Sequence, residues 1–200
     1  MSSSFDALAV LGDSVAAGSY TDATGWPSRL SECDALSGTS VHRFGSTATT
    51  LAEHAETVEE HLAETVAAVD TAEPRLCVVV HAGHNDAQLS DGAPRVSEGE
   101  FRHAAAELDR TLANHDAVGW HGFLGVVPLL SVTGGVGFDD AQPGRSLLYD
   151  DAIHATVADH RAVARPVEAW HDRTTDGVHP NEAGHEHLAA VVTEWVDDAA

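Results

Sequence analysis

The sequence predicts an α/β fold of three layers, in which a parallel sheet of about five strands lies between two layers of helices. Short apolar runs bounded by Gly or Pro alternate along the chain with longer stretches whose apolar residues recur at helical spacing. The run over residues 76–80 is continuously apolar, which is typical of a parallel strand buried on both faces. With 200 residues, no linker and no internal repeat, the chain is expected to form a single domain over residues 1–200.

The first half of the chain is expected to contribute three strands and two helices. Short apolar or β-branched runs predict strands over 7–11, 40–44 and 76–80. Residues 26–36 carry apolar side chains near helical spacing, and Pro27 suits a first helical turn, so we expect the first crossover helix there. A long helix is predicted over 51–69, because its apolar residues share one face and its glutamates occupy other positions.

The second half of the chain continues the alternation. Helical spacing of apolar residues predicts helices over 99–116, 147–160 and 181–196. Strands are predicted over 123–127 and 163–170, and Pro166 inside the second of these indicates a sheet edge. The resulting architecture is flavodoxin-like. In such a sheet, the loops that follow parallel strands emerge at one edge, and three of them carry small and polar residues, over 12–18, 45–50 and 83–86.

The charge balance narrows the range of partners. Thirty-two acidic residues face ten basic ones, which gives a net charge of -22, and every basic residue is Arg. A charge of this size repels polyanions, so we expect neither nucleic acid nor an anionic membrane as a partner. An acidic sequence without Lys is similar to proteins from organisms that keep molar salt in their cytoplasm, so we expect a halophilic protein. An ordinary acidic surface is the alternative.

The sequence shows no pattern of a membrane helix, of a signal peptide or of paired cysteines. No apolar run approaches the ~20 residues that a membrane helix needs, and residues 1–6 lack the basic start and small-residue cleavage site of a signal peptide. We therefore expect a cytoplasmic protein. Cys33 and Cys77 have neither paired nor CxxC spacing, which argues against a metal or redox site and favours two small core residues.

Ser14 is a candidate nucleophile because of where it stands. The triplet Gly12-Asp13-Ser14 closes the first predicted strand and opens a loop rich in Gly and Ala. A serine at that point presents its hydroxyl at the carboxyl edge of the sheet, where open α/β folds bind their ligands. A helix N-cap is the alternative role for such a serine.

Asp176 and His179 form the second candidate group, just before the last predicted helix. A carboxylate three residues before a histidine on a turn can bind the imidazole Nδ1, which leaves Nε2 to accept a proton. Fourteen histidines make a chance pairing the alternative. The same spacing also suits a metal, but no third ligand has a natural position, so we expect none.

Together these motifs resemble the SGNH/GDSL hydrolase superfamily, over residues 7–196. The order and loop contexts match for Gly12-Asp13-Ser14, the Gly45 segment, Gly83-x-Asn85-Asp86 and Asp176-x-x-His179-Pro180. The resemblance implies the SGNH hydrolase fold, with Ser14 as nucleophile, His179 as base and Asp176 as its orienting partner. It also implies an oxyanion hole made by backbone N–H groups, that of Ser14 among them, together with the Asn85 side chain.

The sequence departs from the family pattern in two places. Val15 stands where the family has Leu, which is a tolerable apolar exchange. The second block is weaker, because the family commonly shows Asn, Gly and a further Gly before Thr, whereas this chain has Arg43 to Thr50 without that pattern. Only a backbone N–H is required there, and either Gly45 or Ala48 can supply it. We expect Gly45 to do so.

The expected reaction is ester hydrolysis through an acyl-enzyme, without a cofactor. Short or medium acyl esters of small molecules are the expected substrates, and sugar O-acetyl esters are among them. Asp139, Asp140 and Gln142 in the long loop over 131–144 are compatible with a polar alcohol, although an ordinary solvated loop explains them equally well. The alternative from another class is a ligand-binding domain without activity, in which the Ser14 loop forms an anion-binding nest.

The charge balance generates one testable prediction. Raising KCl from 0.15 M to molar concentrations is expected to raise both the melting temperature and the activity, because the Debye length falls from about 8 to about 3 Å and self-repulsion weakens. Sucrose at equal osmolality serves as the control, since it does not screen charge. A melting temperature that KCl leaves unchanged would contradict the halophile interpretation.

Overall fold

Five parallel strands form the main sheet of the computed structural model, which describes residues 5–20, 22–90, 92–131 and 143–200. These strands are β1 (Ala7–Gly12), β2 (Ser40–Phe44), β3 (Leu76–His81), β6 (Val118–Leu124) and β7 (His160–Arg161). Two short antiparallel strands, β4 (Leu89–Ser90) and β5 (Ala93–Pro94), form a separate hairpin. The main sheet has the order β2-β1-β3-β6-β7, which is the flavodoxin-like order. The predicted fold class is confirmed.

Helices flank the sheet. They are α1 (Ser14–Ala17), α2 (Leu51–Ala67), α3 (His84–Ala87), α4 (Glu98–Asn114), α5 (Gly144–His154) and α6 (Glu182–Ala199). The two 17-residue helices α2 and α4 pack against each other, and both begin with a capping box, formed by Thr50 with Glu53 and by Ser97 with Glu100. Helix α6 packs against residues 26–32. None of the described helices is long and apolar enough to cross a membrane.

The first crossover is not the predicted α-helix. Residues Trp26–Glu32 and Asp34–Leu36 form two short 3-10 helices, separated by Cys33 in extended backbone. The apolar side chains of Leu30, Cys33 and Leu36 are nevertheless buried, together with Trp26. Their three-residue intervals match the period of a 3-10 helix, in which residues i and i+3 share a face. The sequence therefore identified the buried face correctly and the type of helix wrongly.

The structure also corrects the end of the sheet. The fourth strand of the main sheet begins at Val118, five residues before its predicted start, and ends at Leu124. The last strand is only His160–Arg161, at the sheet edge. The predicted strand over 163–170 is wrong: Val167–Asp172 form a 3-10 helix, and the Trp170 indole N–H donates to the carbonyl of Val163. Pro166 has no N–H to give to a strand ladder. The loop residues Asp139, Asp140 and Gln142 lie outside the described residues.

The strand register aligns the ends of the three strands nearest to the candidate site. Leu11 of β1 pairs with Phe44 of β2, and Gly12 pairs with His81 of β3, so the three strands end level with one another. Residues that follow these strands consequently lie side by side at one edge of the sheet. Gly45, which follows β2 with φ 101°, is required there by space, since a Cβ atom would lie 1.8 Å from the Gly12 carbonyl oxygen.

Two buried histidines support this edge by holding Trp26. The Trp26 indole N–H donates to His81 Nδ1 at 3.0 Å, and its backbone N–H donates to His185 Nδ1 at 3.2 Å. Both bonds require a neutral ring, because a protonated imidazole has no acceptor. Burial lowers the pKa of His81 to about 3 and the pKa of His185 to about 4. Both rings therefore stay neutral at physiological pH.

Acid is expected to destabilise the protein between pH 6.5 and 4. In the unfolded chain both imidazoles titrate near 6.5, so the unfolded state binds protons that the folded state does not, and the free energy of unfolding falls with pH. Burial of Asp86 raises its pKa to about 6 and opposes part of this loss. The net loss by pH 4 is expected to be on the order of 4 kcal/mol, since one pKa unit corresponds to about 1.4 kcal/mol.

The measurement is the free energy of unfolding by denaturant at a series of pH values. His185→Asn keeps an acceptor near the Nδ1 position and is expected to flatten the acid limb. His103→Asn on the exposed face of α4 is the matched control and should leave it unchanged. Equal slopes in the two variants would remove His185 from this explanation.

Candidate active site

Ser14, His179 and Asp176 form a continuous chain of hydrogen bonds at the carboxyl edge of the sheet. His179 Nε2 lies 3.1 Å from Ser14 Oγ, and His179 Nδ1 lies 2.7 Å from Asp176 Oδ2. Because the carboxylate can only accept, Nδ1 carries the proton and Nε2 is left to accept from the hydroxyl. Ser14 and His179 are both buried, with 5% and 7% of their surface exposed. A buried serine hydroxyl bound to an oriented base can act as a nucleophile.

The turn that carries Asp176 holds its carboxylate firmly. Oδ1 accepts the backbone N–H groups of Val178 at 3.0 Å and of His179 at 2.8 Å, while Oδ2 binds the imidazole. Partial burial alone would raise the pKa of Asp176, but the hydrogen bonds from His179 and Val178 outweigh it and hold this pKa below its usual range. The carboxylate is therefore ionised and fixed in place beside the imidazole.

Asp13, rather than Ser14, caps the short helix α1. Asp13 Oδ1 accepts the Val15 backbone N–H at 2.9 Å, and Ser14 is the first helical residue. The alternative role of Ser14 as an N-cap is thus wrong. Gly18 ends the helix in the left-handed conformation at φ 72°, and its backbone N–H donates to the Ser14 carbonyl, so the helix is a single turn that begins with the serine. The Ser14 hydroxyl is left to bind His179.

The other oxygen of Asp13 holds the loop that follows β3. Oδ2 lies 3.0 Å from His84 Nδ1 and 3.3 Å from Asn85 Nδ2. His84 Nε2 accepts the Val127 backbone N–H at 3.1 Å, so its Nδ1 carries the proton and the ring is neutral. Burial would raise the pKa of Asp13, but the interaction with His84 outweighs it and lowers this pKa. Sequence reasoning missed this role of Asp13 and His84, although both stand inside the recognised motifs.

A pocket of about 270 Å³ opens onto the Ser14 hydroxyl. Its lining includes Asn85 and Ala48, together with His179, whereas Gly45 is not part of it. Asn85 Nδ2 also donates to the Thr49 carbonyl at 3.0 Å. Ala48 has φ 70°, a left-handed conformation that is uncommon for a residue with a side chain. Of the two backbone donors considered from the sequence, Ala48 lines the pocket, whereas Gly45 packs against the end of β1.

Tyr20 and Arg95 are among the pocket residues that were not identified from the sequence. The Tyr20 ring lies 4.7 Å from the His179 ring, and its hydroxyl lies 3.5 Å from Thr47 Oγ1. The Arg95 guanidinium reaches the pocket rim from the residue that follows β5. Neither belongs to a motif, and both reach the pocket through folding of distant segments, so local pattern carries no signal for them.

In the part of the chain that the structure describes, two alternatives to this site would be a metal site and a larger cavity. No group of three or more His, Cys, Asp or Glu residues there is placed to hold a metal ion. A larger cavity of about 1060 Å³ includes Arg75, Arg110 and Asn114 in its lining, but no member of the Ser14 hydrogen-bond chain. The chemistry therefore points to the smaller pocket.

Known structures share this fold over nearly the whole chain. An α/β hydrolase from the metagenome of Lake Arreo, Spain, is 18% identical, with a TM-score of 0.67 and 99% of both chains covered. A lipase/acylhydrolase from Enterococcus faecalis is 17% identical, with a TM-score of 0.68 and 96% of both chains covered. An acetyl-xylooligosaccharide esterase from Geobacillus stearothermophilus is 15% identical, with a TM-score of 0.71, covering 98% of this chain and 95% of that one. No curated protein sequence matches this one.

Family membership rests on a separate comparison. The model of the GDSL-like lipase/acylhydrolase family matches residues 10–187, a span that includes all four motifs and every member of the Ser14, His179 and Asp176 chain. This match favours a hydrolase over a ligand-binding domain without activity. The protein belongs to the GDSL-like lipase/acylhydrolase family and is an esterase-type hydrolase.

Proposed function

We propose that the protein is a serine esterase that cleaves carboxylic esters through an acyl-enzyme on Ser14, within a single domain over residues 1–200. The continuous hydrogen-bond chain from Ser14 through His179 to Asp176 is the observation that carries this proposal. The oriented imidazole supplies a base in contact with the hydroxyl, which is the arrangement that nucleophilic catalysis by serine requires.

The mechanism has two symmetrical halves. In the first, Ser14 Oγ attacks the ester carbonyl carbon while His179 Nε2 takes its proton, and the imidazolium then returns the proton to the departing alcohol. In the second, His179 takes a proton from water, which attacks the acyl group, and Ser14 Oγ leaves as the hydroxyl. Asp176 stays ionised throughout and stabilises the imidazolium. No cofactor takes part in this sequence.

Three donors are proposed for the oxyanion hole. The backbone N–H of Ser14 has no acceptor within its own helix, because the first residues of a helix never do. The Asn85 amide is the second donor: its bond to Thr49 anchors it, and the longer contact with Asp13 can be shared with the substrate oxygen. For the third donor, the position of Ala48 in the pocket lining favours its backbone N–H over that of Gly45.

The pocket and the comparisons support a substrate class. A volume of about 270 Å³ lies just below the usual range for small-molecule sites, which favours short acyl groups over medium ones. The acetyl-xylooligosaccharide esterase with the same fold makes sugar O-acetyl esters a reasonable first class to assay. For the setting of the enzyme, the acidic sequence without Lys supports a cytoplasm rich in salt.

A fluorophosphonate probe tests the proposed nucleophile. The probe is expected to label the protein at Ser14, located by peptide mass analysis, and Ser14→Ala should abolish both labelling and hydrolysis of p-nitrophenyl acetate. Asp176→Asn should lower kcat by about 10⁴-fold, since the amide cannot hold the same tautomer. Ser19→Ala is the matched control, because it removes a nearby hydroxyl outside the pocket lining. Labelling that persists in Ser14→Ala would refute the proposal.

Asn85 provides an independent test of the oxyanion hole. Removal of a transition-state donor by Asn85→Ala is expected to lower kcat by about 10² to 10³-fold with little change in KM. If Asn85 served only to hold its turn, the variant would instead lose about 1 kcal/mol of stability and keep its kcat. Asn114→Ala is the control, since Asn114 also donates to a backbone carbonyl but lies outside the pocket lining.

A further inference from the structure

We propose that Arg95 is the positioning residue of the oxyanion hole, which it organises by binding Asn85 and Ala48 at the same time. Arg95 Nη1 donates to Asn85 Oδ1 at 3.3 Å, and Nη2 donates to the Ala48 carbonyl at 3.4 Å. One guanidinium thus joins the two residues that supply a side-chain donor and a backbone donor to the pocket. This inference rests on the proposed function and extends it to a residue outside the family motifs.

The bonds around Asn85 give its amide only one orientation. On one side, Arg95 offers donors alone, so it can face only Oδ1. On the other side, the Asp13 carboxylate and the Thr49 carbonyl offer acceptors alone, so they can face only Nδ2. Loss of Arg95 removes one of the three groups that oppose rotation of the amide, and the only one that binds its oxygen. An amide turned by 180° would present its oxygen, instead of its N–H, to the developing oxyanion.

The positive charge of Arg95 acts in the same direction. A cation bound at the amide oxygen polarises the group and strengthens Asn85 Nδ2 as a donor. Within the described part of the chain, the guanidinium makes no ion pair. Its N–H groups donate instead to two neutral oxygens, Asn85 Oδ1 and the Ala48 carbonyl.

The surroundings of Arg95 explain how it keeps this position. Its backbone N–H donates to the Gln88 carbonyl at 2.9 Å across the small hairpin, which fixes the start of the side chain. Glu53 lies near enough for the charge of Arg95 to contribute to its lowered pKa, although the bonds from Thr50 are the main cause. The bond to the Ala48 carbonyl holds a residue whose left-handed backbone is otherwise unfavourable.

Steady-state kinetics with p-nitrophenyl acetate in a double-mutant cycle test the inference. Arg95→Met is expected to lower kcat about tenfold, a fraction of the loss caused by removing a donor outright, with KM changed less than about twofold. Asn85→Ala/Arg95→Met should lose less than the product of the two single losses, because part of the effect of Arg95 acts through Asn85. Arg95→Lys should recover only part of the rate, since a lysine cannot bind two oxygens as a fork.

The controls separate positioning from stability and from general charge. The melting temperature of Arg95→Met should stay close to that of the wild type, because hydrogen bonds of an exposed side chain contribute little to folding. Arg110→Met removes the same charge from the exposed face of α4 and should leave kcat unchanged.

Each contrary result has a distinct meaning. A slow Asn85→Ala with a normal Arg95→Met would overturn this inference and leave the oxyanion hole intact. Losses that multiply in the double variant, or a change confined to KM, would show that Arg95 acts independently of Asn85 and would also overturn it. A normal kcat in Asn85→Ala would overturn both the inference and the role of Asn85 in the proposed function.

Discussion

The buried carboxylate of Asp13 is the interaction on which the geometry of the site depends. One oxygen caps the helix that begins with Ser14, and the other binds His84 and Asn85 in the loop after the neighbouring strand. A buried carboxylate is costly unless it is fully hydrogen-bonded, so these groups are held in one arrangement. The same side chain therefore sets the position of the candidate nucleophile and of the candidate oxyanion donor relative to each other.

The parallel sheet makes this arrangement possible by ending three strands level at one edge. Space at that edge is limited, which explains why Gly45 packs against the carbonyl of Gly12. The same carbonyl oxygen accepts a hydrogen bond from His54 Nε2 on α2 at 3.0 Å. Packing of this density leaves little freedom for the loops that follow. The pocket is consequently formed by residues beyond the close-packed strand ends, with Ala48 in place of Gly45.

The charges of the protein are divided between the surface and the interior in a way that suits the proposed reaction. Most of the 32 acidic residues lie in exposed or partly exposed positions, while Asp13 and Asp86 are buried beside hydrogen-bond donors. The buried histidines remain neutral, because burial disfavours the imidazolium. At the pocket rim, Arg95 supplies positive charge close to Asn85. Positive charge therefore lies beside the proposed oxyanion hole in spite of the net charge of -22.

The sequence by itself determined the fold class, most helix positions, the family resemblance and the residues Ser14, Asp176, His179 and Asn85 as candidates. These follow from local patterns, because strand and helix periodicity and the short motifs each lie within a few consecutive residues. Only the tertiary structure decided that Ala48 lines the pocket, that Asp13 binds His84, and that Arg95 reaches Asn85 and Ala48. Contacts between segments far apart in the chain decide these points, and no local pattern encodes such contacts. The helix type at 26–32 and 34–36 has a different explanation: the three-residue intervals of Leu30, Cys33 and Leu36 fit a 3-10 helix, but they also fit one face of an α-helix, so spacing alone did not distinguish the two.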